Sequence, residues 1–505
     1  MGIWYTFYMG LDDIRRARLE KLEKLQKAGI DPYPAQSLRT HSISQAIENF
    51  DEFVEKKEKM VLAGRVMAKR EQGGLAFVDI VDGSHSEGEA RFNGVAGKIQ
   101  LLFKKDDIGE EGFNLFSQTV DVGDFIEASG TLFKTKREEK TLEVKSHRML
   151  SKSLLPLPEK WHGLEDAEEK LRRRYLDLIM SSDVKELFIK KSIFWQATRG
   201  FLLDEGGIEV ETPILERIPG GADAEPFRTH MNALDIDLYL RIAPELNLKR
   251  LNVGGFEKVF EIGRIFRNEG IDREHLQDYT QVEMYWAYID YEGLMKIVEK
   301  LIKHVIKKTL GTLTHNYQDK SIDWGSAWIR YDYYEVFEKY TGIKLNDVGE
   351  DDLKKYADEN KIDIDKHFGR GRLIDVIFKK KVRPNLWEPG FLVLPPVDIE
   401  PLAKRWSQDI NRVERFQVVA CGSELGKGFS ELNDPIDQRE RFEEQAKLGK
   451  AGDKEAQRMD EDFVEALEYG MPPTAGFAYS ERLFAFIMDK PVRETVFFPL
   501  MKPRS

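Results

Sequence analysis

The pattern of apolar and polar positions along the chain changes at about residue 59 and again at about residue 181. In the first segment, apolar residues recur at helical spacing in "IRRARLEKLEKLQKAGIDPYP", and the pattern stops at Gly29 and two prolines. Residues 1–58 therefore predict an N-terminal helical extension. It is either an exposed charged helix or a basic helix that contacts an acidic partner. Within it we expect Met9, rather than Met1, to be the natural start.

Residues 59–150 consist of short β-rich segments separated by Gly or Asp. These segments are "MVLAGRVMAKR", "LAFVDIVDG", "GKIQLLFKK", "DFIEASGTLFKTK" and "TLEVKSHRML". Five strands at this spacing predict a small closed barrel, and an OB-fold is the obvious candidate. Residues 84–97, "SHSEGEARFNGVAG", predict a loop insertion between two of the strands.

A mixed pattern of helices and strands occupies residues 181–505, after a proline-marked linker at residues 151–180. The segment "KELFIKKSIFWQATRGFLLDEGG" predicts an amphipathic helix that ends at glycines. A charge-rich helical block follows at residues 291–380, and "AGFAYSERLFAFIMD" predicts a closing strand and helix. Together with the barrel, this pattern predicts an α+β protein with a second, larger domain.

Two alternating strands flank a long charged loop in "VFEIGRIFRNEGIDREHLQDYTQVEMYWAYIDY". A hairpin loop usually needs only two to five residues, whereas this one spans about residues 268–279. Arg267 stands at the end of a strand, where its guanidinium can bind a phosphate or a carboxylate. His275 could reach further phosphates, Tyr279 could stack on a base, and Glu269 could accept from an exocyclic amine. The alternative is a solvated hairpin whose charges pair on the surface.

Composition limits the class of protein. With 505 residues, 33% of them charged and 41% hydrophobic, the chain suits a globular protein of two or more domains. The single cysteine, Cys421, excludes an internal disulfide and fits a reducing, cytoplasmic compartment. A net charge of −12 argues against indiscriminate nucleic-acid binding but permits a local basic face. No apolar run approaches the ~20 residues that span a bilayer, so we expect no membrane association.

Two further clusters carry residues suited to nucleotide chemistry. In "SELGKGFSELND", Glu424 is a plausible Mg²⁺ ligand, and Glu431 follows on the same predicted strand. In "SERLFAF", Arg482 begins a helix after a strand of small residues, where it could bind an outer phosphate. Each cluster alone is compatible with ordinary surface charge. There is no P-loop and no GxGxxG motif, so nucleotide binding would need another scaffold.

The three clusters occur in an order that resembles the class II aminoacyl-tRNA synthetases, and within them the lysyl-tRNA synthetases. "RRRYLDLI" with "GIEVETPIL" is similar to the first motif of that class, with Pro213 at its proline. "FRNEGID…H…YT…EMYWAY" is similar to the second motif and "GFAYSERL" to the third. The resemblance runs from about residue 12 to the end. It implies an N-terminal OB-fold anticodon-binding barrel, a class II catalytic domain built on an antiparallel β-sheet flanked by helices, and a homodimer.

The resemblance also implies a reaction and its ligands. L-Lysine and ATP form lysyl-adenylate and diphosphate, and the lysyl group then passes to the 3′ end of tRNA(Lys). ATP would be bound at the α-phosphate by Arg267, at the adenine by Glu269 and Tyr279, and at the outer phosphates by His275 and Arg482. Mg²⁺ would be bound by Glu424 and by Gln417, where the family usually has a carboxylate. The number of Mg²⁺ ions is left open.

The amino-acid site is likewise implied by the resemblance. The side chain of lysine would meet Glu283, Tyr285 and Glu431, with Phe429 along its stem, and the α-amino group would meet Gly221 and Glu245. Lys427 replaces the family's asparagine, and we expect it to point at the substrate carboxylate. In the barrel, the anticodon would be read by Phe77, Gln100 and Arg65, unless Phe77 is part of the barrel core.

Three other functions remain open on the sequence. A synthetase of the same subclass for asparagine or aspartate would need a neutral or basic pocket, which Glu283 and Glu431 disfavour and Lys427 favours. A non-enzymatic RNA-binding or regulatory protein would be expected to lack Arg267, Tyr279 or Arg482. A lysine ligase that acts on a protein would not need the barrel.

Overall fold

A computed structural model describes residues 10–84, 97–158, 166–270, 272–365, 368–450 and 457–503. Most of the predicted insertion at 84–97 and the first eight residues lie outside the described part. The described residues form two compact units. One contains the chain up to Leu187 together with the segment from Leu500, and the other contains the chain from Phe188 to Pro499.

The first unit is built around a closed five-stranded barrel, as the sequence predicts. The strands are hydrogen-bonded in the order β1-β2-β3-β5-β4, and the β3–β5 pair is parallel. Alternate residues of each strand point inward, for example Ala76, Val78 and Ile80, which are fully buried. The barrel strands are β1 (Lys59–Gln72), β2 (Leu75–Val81), β3 (Lys98–Lys104), β4 (Phe125–Lys134) and β5 (Lys140–Ser151).

The N-terminal extension is helical, with a break after its first helix. One side of that helix packs on the barrel, because Arg18 is buried and donates to the carbonyl oxygens of Val122 and Leu155, each at 3.0 Å. The helices of this unit are α1 (Leu11–Lys27), α2 (Ile43–Glu48), α3 (Phe50–Lys56), α4 (Lys105–Ile108), α5 (Glu110–Thr119), α6 (Ala167–Arg172) and α7 (Arg174–Met180).

The second unit is organised around an eight-stranded sheet in the order β14-β15-β18-β19-β20-β11-β10-β6. The six central strands are antiparallel to their neighbours, as expected, but both edge strands pair in parallel. Parallel pairing needs a long connection, and 48 residues lie between Glu209 and Lys258 and 57 between Asp332 and Gly390. The strands are β6 (Ile208–Glu209), β10 (Lys258–Phe266), β11 (Asp278–Ala287), β14 (Ile329–Asp332), β15 (Gly390–Val393), β18 (Arg415–Ala420), β19 (Ser423–Ser430) and β20 (Thr474–Ser480).

Helices cover this sheet, and smaller sheets lie beside it. One apolar helical face, which includes Leu294, Val298 and Leu301, is buried within the unit. The helices are α8 (Ser182–Asp204, which begins in the first unit), α9 (Glu245–Val253), α10 (Tyr291–Leu310), α11 (Tyr333–Thr341), α12 (Glu350–Glu359), α13 (Arg370–Ile377), α14 (Pro435–Lys450), α15 (Glu461–Glu468) and α16 (Glu481–Ile487). The small sheets contain β7 (Leu215–Glu216), β8 (Arg228–Met231) and β9 (Ile236–Leu240); β12 (Thr314–Tyr317) and β13 (Lys320–Asp323); and β16 (Arg405–Trp406) and β17 (Asp409–Val413).

Short 3₁₀ and π turns complete the unit at Leu345–Asp347, Phe378–Val382, Arg383–Asn385, Val397–Ile399 and Val492–Thr495. Within the described ranges, no helix has the length and apolar character that crossing a membrane requires.

Candidate active site

Strand register places the polar residues of the second unit on one face of its sheet. Gln417 pairs with Lys427, Lys427 with Ala478, Ala478 with Glu283, and Glu283 with Glu261. Directly paired residues of antiparallel strands point to the same face. This row therefore carries an amide, an ammonium, a methyl group and two carboxylates across five adjacent strands.

The next row on the same face forms the floor of a pocket. It contains Phe429, Gly476 and Tyr285 in direct register. A Cβ atom at Gly476 would lie 2.3 Å from Oε1 of Glu431 and 2.4 Å from Cε1 of Tyr285. Only glycine therefore allows these two side chains to meet at the floor.

Three buried carboxylates surround this floor. Glu283 accepts hydrogen bonds from Gln281 Nε2 at 2.6 Å and from the hydroxyl of Tyr285 at 2.9 Å. Lys249, which is fully buried, pairs with Glu245 at 2.6 Å and with Glu431 at 2.5 Å. These contacts join β11, α9 and the end of β19 into one acidic pocket, formed by Glu245, Glu283 and Glu431.

The acidic pocket contains three buried carboxyl groups and one paired cation, Lys249. Burial and the nearby Glu245 raise the pKa of Glu283 to about 7, and Glu283 forms no ion pair within the described part of the chain. The two carboxylates beside Lys249 outweigh its burial and raise the pKa of that ammonium, so it stays charged. Neither oxygen of Glu431 has a hydrogen-bond partner of good geometry among the described residues, despite its ion pair. The pocket is thus suited to one more buried cation.

Gly221 approaches the acidic pocket from a neighbouring loop. Its backbone is left-handed, with φ of +83°, and a Cβ atom there would lie 2.8 Å from Cβ of Glu245. Glu245 is the first residue of α9, where the helix dipole favours a carboxylate. A side chain at position 221 would therefore collide with Glu245, so the close approach of this loop to α9 requires glycine.

Polar contacts connect the two ends of the loop after β10. The backbone N–H of Arg267 donates to Gln277 O at 2.9 Å, and Gln277 Nε2 donates to the carbonyl oxygens of Glu269 and Gly270. Arg267 Nε donates to Ile242 O, and its guanidinium lies 5.8 Å from the ring centre of Tyr279. Arg267 and Tyr279 therefore lie side by side at the base of the hairpin.

The tip of this loop reaches the start of α16. Asp272 accepts hydrogen bonds from the backbone N–H groups of Glu274 and His275 and contacts His275 Nδ1 at 2.7 Å. The imidazole of His275 is exposed, and this contact with Asp272 fixes its position. Arg482, at the N-terminus of α16, forms an ion pair with Glu274. A small cavity lined by Arg273, Glu274 and Arg482, among others, lies here.

Glu424 and Gln417 meet across the turn between β18 and β19. Gln417 Nε2 donates to Glu424 at 3.1 Å, and Arg383 lies 3.7 Å from the other carboxylate oxygen. No group of three His, Cys, Asp or Glu side chains suited to a metal occurs in the described ranges. Lys427 donates to Glu400 at 2.9 Å instead of entering the acidic pocket.

The predicted anticodon residues lie in the barrel. Phe77 is partly exposed and alternates with buried neighbours, so its ring is on the outer face rather than in the core. Phe77 pairs with Leu102 and Asp79 with Gln100, which makes Phe77 and Gln100 diagonal neighbours. Arg65 is held by the Gly123 carbonyl oxygen and by the Phe125 ring.

Comparison with known proteins agrees with both units. Residues 166–502 match the family described as tRNA synthetases class II (D, K and N), and residues 60–150 match the OB-fold nucleic acid binding domain. A lysine–tRNA ligase of Carboxydothermus hydrogenoformans is 44% identical over 499 residues, which cover 98% of this chain and 99% of that relative. The chain belongs to the class II lysyl-tRNA synthetase family.

Other relatives of this synthetase match over a similar length. The lysine–tRNA ligase of Thermotoga maritima is 43% identical over 501 residues, which cover 98% of this chain and 97% of the relative. The lysine–tRNA ligase of Bacillus subtilis is 42% identical over 502 residues, which cover 98% of this chain and 98% of the relative. The family implied by the sequence motifs is therefore confirmed.

The structure of the synthetase brings most of the predicted amino-acid residues together. Glu245, Glu283, Tyr285, Phe429 and Glu431 line or adjoin the acidic pocket. Their roles toward ligands remain predictions, as do those of the hairpin and barrel residues. Pro213 is exposed and comes just before β7.

Sequence reasoning missed several residues that shape the site. These are Lys249, which pairs with two pocket carboxylates; Gly476, which forms the floor; Glu274, which pairs with Arg482; and Glu400, which pairs with both Lys427 and Arg415. The Glu245–Lys249 spacing of four residues on a helix was a usable signal. The other contacts join positions far apart in the chain and left no local signal.

Proposed function

We propose that this protein is a lysine–tRNA ligase that joins L-lysine to tRNA(Lys) at the expense of ATP, and that it serves translation in the cytoplasm. The observation that supports this substrate is the excess of buried carboxylates in the acidic pocket. Glu283, Glu245 and Glu431 are each at most 5% exposed, and only Lys249 pairs with any of them in the described ranges. An additional ammonium would stabilise this arrangement.

The first reaction step needs charge neutralisation and positioning more than a base. The lysine carboxylate is already a nucleophile, and its oxygen bonds to the α-phosphorus while the bond to the β-bridging oxygen breaks. In this proposal Arg267 binds the α-phosphate, Tyr279 stacks on adenine and Glu269 accepts from its amine. Arg482 and His275 bind the outer phosphates, and diphosphate leaves. A hydroxyl of the terminal ribose of the tRNA then bonds to the lysyl carbonyl carbon, the bond from that carbon to the adenylate phosphate oxygen breaks, and AMP leaves while the hydroxyl proton is released.

We propose Mg²⁺ as the cofactor, bound together with ATP. Glu424 offers one carboxylate and Gln417 one amide oxygen, a donor set that fits Mg²⁺ only when phosphate oxygens and waters complete its octahedron. Held by Glu424 and Gln417, such an ion would neutralise part of the phosphate charge. Arg383, which lies 3.7 Å from Glu424, already contributes positive charge there.

We place the tRNA anticodon on the outer barrel face at Phe77, Gln100 and Arg65. A partly exposed ring beside polar groups suits single-stranded RNA, which OB-folds bind by stacking and edge contacts. We also propose a homodimer through the region of Pro213. Exposed apolar side chains surround this proline in sequence, which supports a protein interface: Ile208, Ile214, Leu215 and Ile218.

ATP–diphosphate exchange across the twenty amino acids tests this proposal. We expect exchange with lysine alone, and charging of tRNA(Lys) with lysine. Exchange driven by asparagine or aspartate but not by lysine would refute the substrate. Absence of exchange with every amino acid would favour a regulatory protein.

A further inference from the structure

We infer that Arg383 binds the phosphates of ATP and supplies part of the positive charge that a divalent cation would otherwise provide beside Glu424. This inference rests on the proposed function, because it concerns the same nucleotide. It assigns a role to a residue outside the three sequence motifs. Its consequence is that ATP binding in this chain depends less on Mg²⁺ than it would without the arginine.

Backbone contacts fix the segment that carries Arg383. This residue begins a 3₁₀ turn that lies against the turn between β18 and β19. The backbone N–H of Gly422 donates to the carbonyl oxygen of Leu386 at 2.9 Å, and that of Cys421 donates to Trp387 O at 2.8 Å. A Cβ atom at Gly422, whose φ is +72°, would lie 3.4 Å from the carbonyl oxygen of Arg383. The fold therefore places Arg383 beside the β18–β19 turn.

The guanidinium of Arg383 has hydrogen-bond donors that the described part of the chain does not use. Its ion-pair partner is Glu424, whose Oε1 lies 3.7 Å from Nη1, and this distance is too long for a hydrogen bond. Nε of Arg383 is buried and has no hydrogen-bond partner among the described residues. An arginine presents five N–H donors in a fixed fork that matches the oxygens of a phosphate. A ligand with several acceptor oxygens would therefore satisfy these donors.

The carboxylate of Glu424 is engaged at both of its oxygens. Oε2 accepts from Gln417 Nε2 at 3.1 Å, and Oε1 faces Arg383. Because Gln417 is an amide, the pair of Gln417 and Glu424 carries one negative charge, which the guanidinium balances. Mg²⁺ is usually held by one or two carboxylates together with phosphate oxygens. This pair offers one carboxylate with a cation of the chain beside it, so the incoming phosphates meet that cation as well.

Arg383 also lies near the place proposed for the outer phosphates. The small cavity beside Arg482 is lined by Ser423 and Leu425, the chain neighbours of Glu424 on β19. Phosphates bound in this cavity would therefore lie close to Glu424 and to the guanidinium next to it. The side chain of Arg383 is 22% exposed, so its outer end is open to a ligand.

The guanidinium and a divalent cation would neutralise the same phosphate oxygens, so the loss of one should increase the dependence on the other. The experiment measures the Kd of ATP for the full chain by calorimetry, once in EDTA and once in saturating Mg²⁺. We define magnesium dependence as the Kd in EDTA divided by the Kd in Mg²⁺. In Arg383→Gln this ratio should rise at least roughly tenfold, the effect of one lost charge-assisted hydrogen bond.

Two controls separate a phosphate contact from other effects. The Kd of adenosine, which has no phosphate, should not change in Arg383→Gln. Lys380→Gln is the matched control variant, because it removes the same charge from an exposed residue three positions earlier in the chain. Its magnesium dependence should equal that of the unmodified chain.

An unchanged magnesium dependence in Arg383→Gln would overturn the inference, whether the Kd of ATP rises equally in both solutions or in neither. An equal loss of adenosine binding would also overturn it, because Arg383 would then support the shape of the site. If Arg383→Gln does not fold, Arg383→Lys decides the question. That variant keeps the charge but loses the fork, so the Kd of ATP in EDTA should rise several-fold, and an unchanged Kd refutes the inference.

The same measurements distinguish this inference from the proposed function. If the unmodified chain binds ATP in Mg²⁺ but no more tightly than adenosine in EDTA, the inference fails and the proposed function stands. If the unmodified chain binds ATP in neither solution, both fail.

Discussion

At the scale of single residues, Glu283 connects the structure most directly to substrate choice. Its two oxygens accept from Gln281 and Tyr285, yet burial and the nearby Glu245 still raise its pKa to about 7. Two neutral donors therefore do not compensate for the missing cation. Holding this carboxyl group in place lowers the stability of the free protein, which is expected of a group that binds a ligand.

Replacing Glu283 with Gln should separate binding from stability. The loss of a buried ion pair with the substrate should raise the lysine Kd on the order of a hundredfold. The free protein should melt at the same or a higher temperature, because an unpaired buried carboxylate is removed. Calorimetry and thermal unfolding measure both quantities. Glu257→Gln, an exposed residue just before β10, should change neither.

The raised pKa of Glu283 also predicts proton release when lysine binds. Below about pH 7 the free protein holds a proton on Glu283, and a bound ammonium favours the carboxylate, so binding expels that proton. Lysine affinity should then fall by up to about tenfold per pH unit on acidification below pH 7. The unfolded chain releases this proton at the ordinary pKa of Glu, whereas the folded protein keeps it until about pH 7. The contribution of Glu283 to the stability of the free protein should therefore fall as the pH rises from that ordinary pKa toward 7.

Calorimetry in two buffers of different ionisation enthalpy at pH 6 reports the proton directly. Release should approach one proton in the unmodified chain and decrease clearly in Glu283→Gln. Equal release in both would assign the proton to another group, such as Glu431.

At the scale of elements, the hairpin of β10 and β11 was predictable and its loop contacts were not. The alternating apolar residues indicated both strands, and the observed loop lies between Phe266 and Asp278. The partner of that loop, α16, lies about 200 residues further along the chain. The ion pair between Arg482 and Glu274 therefore has no local signature in the sequence.

Glu274 should oppose ATP binding because it occupies Arg482. Glu274→Gln frees the guanidinium and removes a negative charge from the phosphate site, so ATP should bind several-fold more tightly. The gain should decrease at high salt, since the site is partly exposed. Glu335→Gln, on the exposed side of α11, serves as the control. Weaker ATP binding by Glu274→Gln would show that this carboxylate helps to build the phosphate site.

At the scale of the whole molecule, the chain divides into a barrel unit and a synthetase unit, each with its own core. The OB-fold match, residues 60–150, lies within the first unit, and most of the synthetase match, residues 166–502, lies within the second. We therefore expect activation of lysine and selection of tRNA to be separable by mutation.

Phe77→Ala should leave ATP–diphosphate exchange unchanged and raise the KM for tRNA, by roughly tenfold if one base loses a stacking partner. Arg267→Ala should reduce exchange by several orders of magnitude, because the α-phosphate loses its charge partner. Ala76→Ser, which alters the inner barrel face, is a control for damage to the barrel itself. Equal loss of exchange in Phe77→Ala and Arg267→Ala would contradict this division.

The sequence by itself determined the two domains, the closed barrel, the hairpin and the family. These depend on local periodicity and on short ordered motifs, which neighbouring residues specify. Only the tertiary structure decided which charges meet: Lys249 with Glu431, Arg482 with Glu274, and Lys427 with Glu400. Each pair joins different elements, so its energy depends on sheet register and burial rather than on spacing in the chain.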